Sequence, residues 1–210
     1  MAQPVTERGD RSRSAIIAAA AEIFAQRGYT GASLNEIIRA SGLTKGGFYF
    51  HFASKQELAL EVIHAHQRDW MAQAMREAQA YPRAVDRLFE LPRVLARTSH
   101  EGKGPYALRR LVDELSRDPE LRDAVCGSST SSVAIVTGQF REAQAEGSIR
   151  PDLDPHLMAE VCVGALTGLL TLTEQLGDDE LERRTDLLID TVQRATLVRP
   201  EERKGGTPHA

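Results

Sequence analysis

A chain of 210 residues with 41% hydrophobic and 27% charged residues can bury one large core or two modest ones, and its two cysteines, Cys126 and Cys162, exclude a disulfide framework. Both cysteines lie in apolar stretches without metal-ligand spacing, which reads as reduced core thiols in a reducing compartment. The net charge of −4 excludes a uniformly basic nucleic-acid binder, yet residues 1–55 carry seven Lys/Arg against four acids, a net +3, and leave −7 for the rest. The start, Met1 to Asp10, is polar, and the most apolar segment, Met158 to Leu172, reads as too short and too Thr-rich to span a bilayer. The expected location is the cytoplasm, with no membrane partner.

Apolar residues recur three and four apart almost throughout and strand-type alternation is nearly absent, so the fold class is all-α with about nine helices. The first helix is predicted from about Asp10 to Arg27, with Ile16, Ala20, Ile23 and Phe24 on its core face and Gly28 as its stop. Ser33-Leu34-Asn35-Glu36 reads as a capping box that opens a second helix ending at Ser41-Gly42. Thr44 caps a third helix of barely two turns, Lys45 to Phe50, and Ser54-Lys55-Gln56-Glu57 is a second capping box opening a fourth helix that reaches Ala80. Pro82, Pro92, the loop Glu101 to Pro105, Asp118-Pro119 and the stretch Gly147 to Pro155 cut the remainder into about five further helices. The last two span roughly His156 to Leu176 and Asp178 to Leu197, and the tail after Pro200 is expected to be disordered.

Two short helices joined by Ser41-Gly42-Leu43 and braced by longer ones have the proportions of a helix-turn-helix, whose second helix enters the DNA major groove. The adjacent glycines Gly46 and Gly47 at the start of that helix each cost roughly 1 kcal/mol against alanine. Close approach to another surface is the compensating gain, since a helix start without Cβ atoms lets backbone amides and Lys45 reach a phosphate or a base edge. Lys45 and Lys55 are two of only four lysines, beside 22 arginines. Phe48, Phe50 and Phe52 read as packing between the third and fourth helices, with Tyr49 on the opposite face.

The segment Ala18 to Leu58 closely resembles the DNA-binding signature of the TetR family of one-component bacterial regulators. The resemblance rests on Phe24, Gly28, Tyr29, Ser33, Ile37, Gly42, Thr44-Lys45-Gly46, Tyr49-Phe50-His51-Phe52, Ser54-Lys55 and Leu58. Within that family the run from Thr44 to Phe52 looks most like the receptors for γ-butyrolactone signals that control antibiotic production. Asp118-Pro119-Glu120-Leu121-Arg122 and the stretch Ala143 to Pro155 resemble the wider family around its seventh and eighth helices.

The resemblance implies a homodimeric transcription regulator on a palindromic double-stranded operator, most often a repressor, released by a small-molecule effector. It implies a helix-turn-helix domain over 10–55, an effector-binding and dimerisation domain over 56–198, and flexible ends at 1–9 and 199–210. Carried over by matching position, Lys45 contacts a base edge, where an ammonium suits guanine O6 and N7, and Gly46 allows the approach. Thr44, Tyr49, His51 and Lys55 hold phosphates, Ser33 adds its hydroxyl and a helix N-terminus to another, and Arg11 and Arg13 are arm contacts. The alternatives are a DNA-binding protein of the same fold that answers to no ligand, a holder of a partner protein, and, less favoured, an activator.

Large apolar residues of the middle helices are the candidates for an effector pocket: Trp70, the sole tryptophan, on the fourth helix, then Phe89, Leu111, Leu115, Val133 and Phe140. The butyrolactone receptors carry a tryptophan over the ligand in a later helix, where this chain has none. The final two helices are amphipathic through Leu157, Val161, Leu166, Leu169 and Leu172 in one and Leu181, Leu187, Leu188 and Val192 in the other. Gly164-Ala165 and Gly168 add small residues one turn apart, and the resemblance implies a four-helix dimer seam there. Glu61-Val62-Ile63-His64 has the form used by di-iron bundles, but no other histidine follows a glutamate by three residues, so it reads as a chance pair. No Walker loop, GxSxG elbow, dinucleotide fingerprint or zinc helix is present, so no enzyme, metal or cofactor is expected.

Overall fold

A computed structural model describes residues 4–99, 108–126, 128–173 and 178–198. Among them are ten helices: α1 Pro4–Gly31, α2 Leu34–Ala40, α3 Lys45–His51, α4 Lys55–Ala78, α5 Ala84–Thr98, α6 Arg109–Ser116, α7 Pro119–Cys126, α8 Ser128–Ala145, α9 Pro155–Thr173 and α10 Asp178–Thr196. The only strand-like pairing among the described residues is an isolated antiparallel bridge between Ile149 and Leu197. The tail beyond Pro200 lies outside the described residues.

Local chemistry explains most boundaries. Gly28, at φ 69°, breaks α1 before a last short turn, as a left-handed glycine does at a helix end. Ser54 Oγ accepts from the Glu57 amide at 3.0 Å, and Glu57 Oε2 accepts from the Ala53 amide at 2.7 Å, one residue ahead of the cap. The expected box at Ser33 does not form: Ser33 makes no side-chain cap, and Glu36 pairs instead with Arg27 at 3.0 Å. Pro92 does not break α5 either. The missing amide bond is offset because Leu88, Phe89 and Leu91 before it and Val94 and Leu95 after it are all buried on the same element.

The chain forms two compact units, and α4 contributes to both, with the division after Asp69. The first holds residues 4–69 and 108–128, so the start of α4 together with α6 and α7 joins the helix-turn-helix, where the sequence suggested a boundary at 55/56. Its core is closed around Ile16, Phe24, Ile37, Phe48, Phe52 and Leu58, completed by Leu111 and Leu115 of α6. Glu114 of α6 accepts from the Thr30 amide at 2.7 Å, and a Cβ at Gly28 would collide with the Glu114 and Arg110 side chains. Gly28 therefore serves both the turn and this close approach.

The second unit contains the end of α4 from Trp70 onward, with α5, α8, α9 and α10. The Glu146 carboxylate accepts from the Ala84 amide at 2.9 and 3.0 Å and so caps α5, while Gln144 Nε2 donates to the Arg150 and Leu153 carbonyls and closes the turn after α8. The two terminal helices do not bury their apolar residues uniformly. Leu166 and Leu181 are inside, but Leu157, Val161, Leu172 and Leu187 are 57%, 61%, 68% and 66% exposed. Against the expectation from its threonines, the 18 residues Pro155–Leu172 are long and apolar enough to cross a membrane, at a mean hydropathy of 1.4, and little of that helix is buried.

Candidate nucleic-acid interface and small-molecule cavity

The turn between α2 and α3 is built by Gly42, at φ 71°, and by Ser41, whose hydroxyl donates to the Ile38 carbonyl at 2.8 Å. Thr44 then caps α3, its Oγ1 accepting from the Gly47 amide at 3.1 Å, which leaves the hydroxyl proton for an outside acceptor. Phe48 is fully buried and Phe52, one turn on, is 1% exposed, with their rings 5.9 Å apart. That contact fixes the rotation of α3. Gly46 and Phe50 face outward, flanked by Lys45 and Tyr49, because a helix advances about 100° per residue.

Phe50 is the correction here. It is 82% exposed, about 200° around the helix from Phe48, so it cannot share the packing role expected for all three phenylalanines. Its edge meets the His51 ring at 5.0 Å. The openness expected at both glycines belongs to Gly46, where an added Cβ would meet nothing within 4 Å. At Gly47 it would touch the capping Thr44 hydroxyl at 3.4 Å. Ser33, Thr44 and Lys45 are exposed, as is Tyr49 at 48%, whereas His51 and Lys55 are half-buried.

Lys55 stands over the Tyr29 ring, Nζ 4.3 Å from its centroid. Burial lowers its pKa and the charge of Glu114 opposes that shift, while burial raises the pKa of Tyr29. Glu114 is itself held below the usual carboxylate range, first by the Thr30 amide and then by Arg110 at 3.0 Å. Arg13 is bound to its own unit, 3.2 Å from Glu61 and 5.2 Å from the Phe52 ring centroid. Burial alone would raise the Glu61 pKa, but hydrogen bonds from Arg68 and Arg13 outweigh it and lower the pKa. His64 Nε2 donates to the Ala124 carbonyl at 2.8 Å, so the Glu61-x-x-His64 pair is engaged in separate contacts.

The second unit has an apolar cavity walled by α4, α5, α8, α9 and α10. The space open to the centre of a water-sized sphere is about 100 Å³, several times the roughly 10–15 Å³ one water needs by that measure. Of the sequence candidates, Trp70, Phe89 and Phe140 line it, and Val133 packs against the surrounding core without lining it. Leu111 and Leu115 do not: they are 0% and 2% exposed in the core of the first unit, because α6 packs against α1. Periodicity shows that a leucine is buried, not against which neighbour. Sequence reasoning missed Ser132 and Val136, although both sit at four-residue steps before Phe140, and it missed Cys162 and Leu166.

Trp70 Nε1 donates to Thr98 Oγ1 at 2.8 Å, and that hydroxyl donates on to the Val94 carbonyl at 2.8 Å. The indole N–H is therefore not free to donate into the cavity. Burial pushes the Cys162 thiol up to about 11.

A short capped helix with an exposed face, held by a closed aromatic core and a glycine turn, defines a helix-turn-helix DNA-binding protein; the separate all-helical unit with its cavity narrows the class. The chain belongs to the TetR family of bacterial regulators. Residues 16–62 match the family described as bacterial regulatory proteins, tetR family, and residues 84–188 match the tetracyclin repressor-like C-terminal domain. The chain is 30% identical over 159 residues to the transcriptional regulator AcuR of Cereibacter sphaeroides, covering 71% of this chain and 70% of that protein. It is 28% identical over 171 residues to the A-factor receptor protein of Streptomyces griseus, covering 76% of this chain and 54% of that protein. The solved structure of TylP, a TetR regulator from Streptomyces fradiae, superposes with a TM-score of 0.68 at 26% identity, covering 94% of this chain and 92% of that one. The chain is thus a DNA-binding transcription regulator, and its relatives are regulators rather than enzymes. Regulators of this family bind operator DNA and act as dimers with small-molecule ligands.

Proposed function

We propose that this regulator is a cytoplasmic homodimeric repressor that holds a palindromic operator through α3 and leaves it when a small molecule fills the cavity of the second unit. The observation that carries the reading is the outward face of α3, where Lys45, Gly46 and Tyr49 stand exposed while Phe48 anchors the helix. In this reading Lys45 takes the guanine edge and Gly46 lets the backbone close in. Thr44, Tyr49, His51 and Lys55 take phosphates, as does Ser33 at the start of α2. Phe50 joins them as an apolar contact of the kind that meets a thymine methyl.

The exposed stripe Leu157, Val161, Gly164 and Leu172 on α9, with the half-buried Gly168 in line with it and Leu187 on α10, supports pairing with a second copy. An added Cβ at Gly164 or Gly168 would meet nothing within 4 Å, which leaves room for a partner helix to approach closely. The same cover accounts for an apolar helix that a single chain leaves exposed. Two-fold pairing places two recognition helices roughly one DNA turn, about 34 Å, apart.

Ligand control follows from α4, which carries Lys55 at one end and Trp70 and Met71, both lining the cavity, further along. A ligand that prefers the DNA-free arrangement would weaken operator binding by a coupling energy of about 1–3 kcal/mol, and operator would weaken ligand binding by the same factor. The test selects operator from a random duplex pool with the purified protein, then follows its release by fluorescence anisotropy as candidate ligands are added. Release at the concentrations that change Trp70 emission supports the reading. A protein that selects no palindrome, or whose operator affinity no cavity ligand changes, argues for the ligand-independent regulator.

A further inference from the structure

The cavity is unusually plain in chemistry. Among its lining residues none is an acid, a base or a histidine, and the only ionisable side chain is Cys162, which burial keeps as a neutral thiol. A charged ligand would sit there without a counter-charge, and burying an ion unpaired is far costlier than burying a neutral group. The Trp70 N–H is committed to Thr98 and is closed to a ligand. Two hydroxyls on the lining remain, Ser132 of α8 and Thr167 of α9, and neither has a side-chain hydrogen-bond partner among the described residues. The open space, about 100 Å³ for the centre of a water-sized sphere, suits a small molecule.

Resting on the reading that this unit holds the effector, we propose that the effector is a small, uncharged, mostly apolar molecule with one or two hydrogen-bonding oxygens, held without a covalent bond. The oxygens meet Ser132 and Thr167, and the apolar body lies against Trp70, Val136, Phe140 and Leu166. A neutral, buried thiol is a poor nucleophile, so Cys162 contributes packing rather than capture of an electrophile.

Three probes of one length separate the charge states: 1-hexanol, hexanoate and hexylammonium, each titrated into the full-length protein with Trp70 emission and thermal midpoint as readouts. Hexanol is expected to give a saturable change, with both ions at least tenfold weaker. Ser132→Ala together with Thr167→Val should weaken hexanol several-fold. Val136→Phe, which fills the cavity, should abolish the signal. Should that variant not fold, Leu166→Phe, which fills the same cavity from α9, serves in its place. Either ion binding as tightly as hexanol, or no saturable binding of any of the three, overturns the proposal. Operator release is scored separately. Hexanol that occupies the cavity without releasing operator sinks the ligand-released repressor and keeps the cavity's chemistry, whereas release by a charged cavity ligand does the reverse.

Discussion

The first unit closes its core and the second does not. Around Phe24, Phe48, Phe52 and Leu111, each at most 1% exposed, the helix-turn-helix unit leaves little apolar surface to be covered, and Ser33, Thr44 and Lys45 face out. The second unit keeps a cavity inside and an apolar stripe outside. The lesson is that the two units differ in how completely they satisfy their own apolar surface. A closed core holds one geometry, whereas incomplete packing lets binding choose among several.

The largest test of that contrast is inside α3. Phe48→Ala should cost about 3–5 kcal/mol in chemical denaturation by opening a cavity in the closed core. Phe50→Ala, on the same helix but 82% exposed, should change stability by no more than about 0.5 kcal/mol while lowering operator affinity. Equal destabilisation by the two would mean that the core is not organised around Phe48.

Next is the outer stripe of the second unit. Val161→Glu places a charge at a residue 61% exposed in the single chain, so monomer stability should hold while self-association weakens by on the order of 2 kcal/mol or more in sedimentation equilibrium. An unchanged dimer would move the seam elsewhere.

At the reading head, Lys45→Ala should cost about 1–3 kcal/mol of discrimination at one position per half-site. Lys55→Ala should lower affinity for all sequences alike. If the Lys45 variant tells operator from random DNA as well as the parent does, the base-edge role is wrong.

The smallest effect concerns Glu114, whose carboxyl is held below its ordinary value of 4.5 chiefly by the Thr30 amide. A carboxylate with a depressed folded pKa contributes stability that is fully present above its ordinary pKa and is lost as pH falls through the depressed one. Glu114→Gln should therefore flatten the fall in stability between about pH 5 and pH 3, and an unaltered acid limb in thermal melts would discount this contact.

Much of the reading head was legible from the chain alone because its signals are local. A glycine at a helix stop, a threonine cap and aromatics one turn apart act within a few residues, so Gly28, Gly42, Thr44, Phe48 and Phe52 stand where the sequence placed them. Phe50 departs from the packing expected of all three phenylalanines because the 3.6-residue period turns it about 200° away from Phe48. Ser33 and Glu36 show the limit of a motif: Arg27 offered Glu36 an ion pair that a four-residue pattern does not contain.

By itself the sequence determined the helical class, the glycine turns, the Thr44 and Ser54 caps and the place of α3, since these depend on neighbours one to four positions away. Only the tertiary structure decided which buried side chains share a wall. It sent Leu111 and Leu115 to α1 and the first unit, left Trp70, Phe89 and Phe140 around the cavity, added Ser132, Val136, Cys162 and Leu166, and divided α9 into an inward Leu166 and an outward Val161. The physical reason is that burial is a property of a residue's surroundings, and those are assembled from helices far apart along the chain.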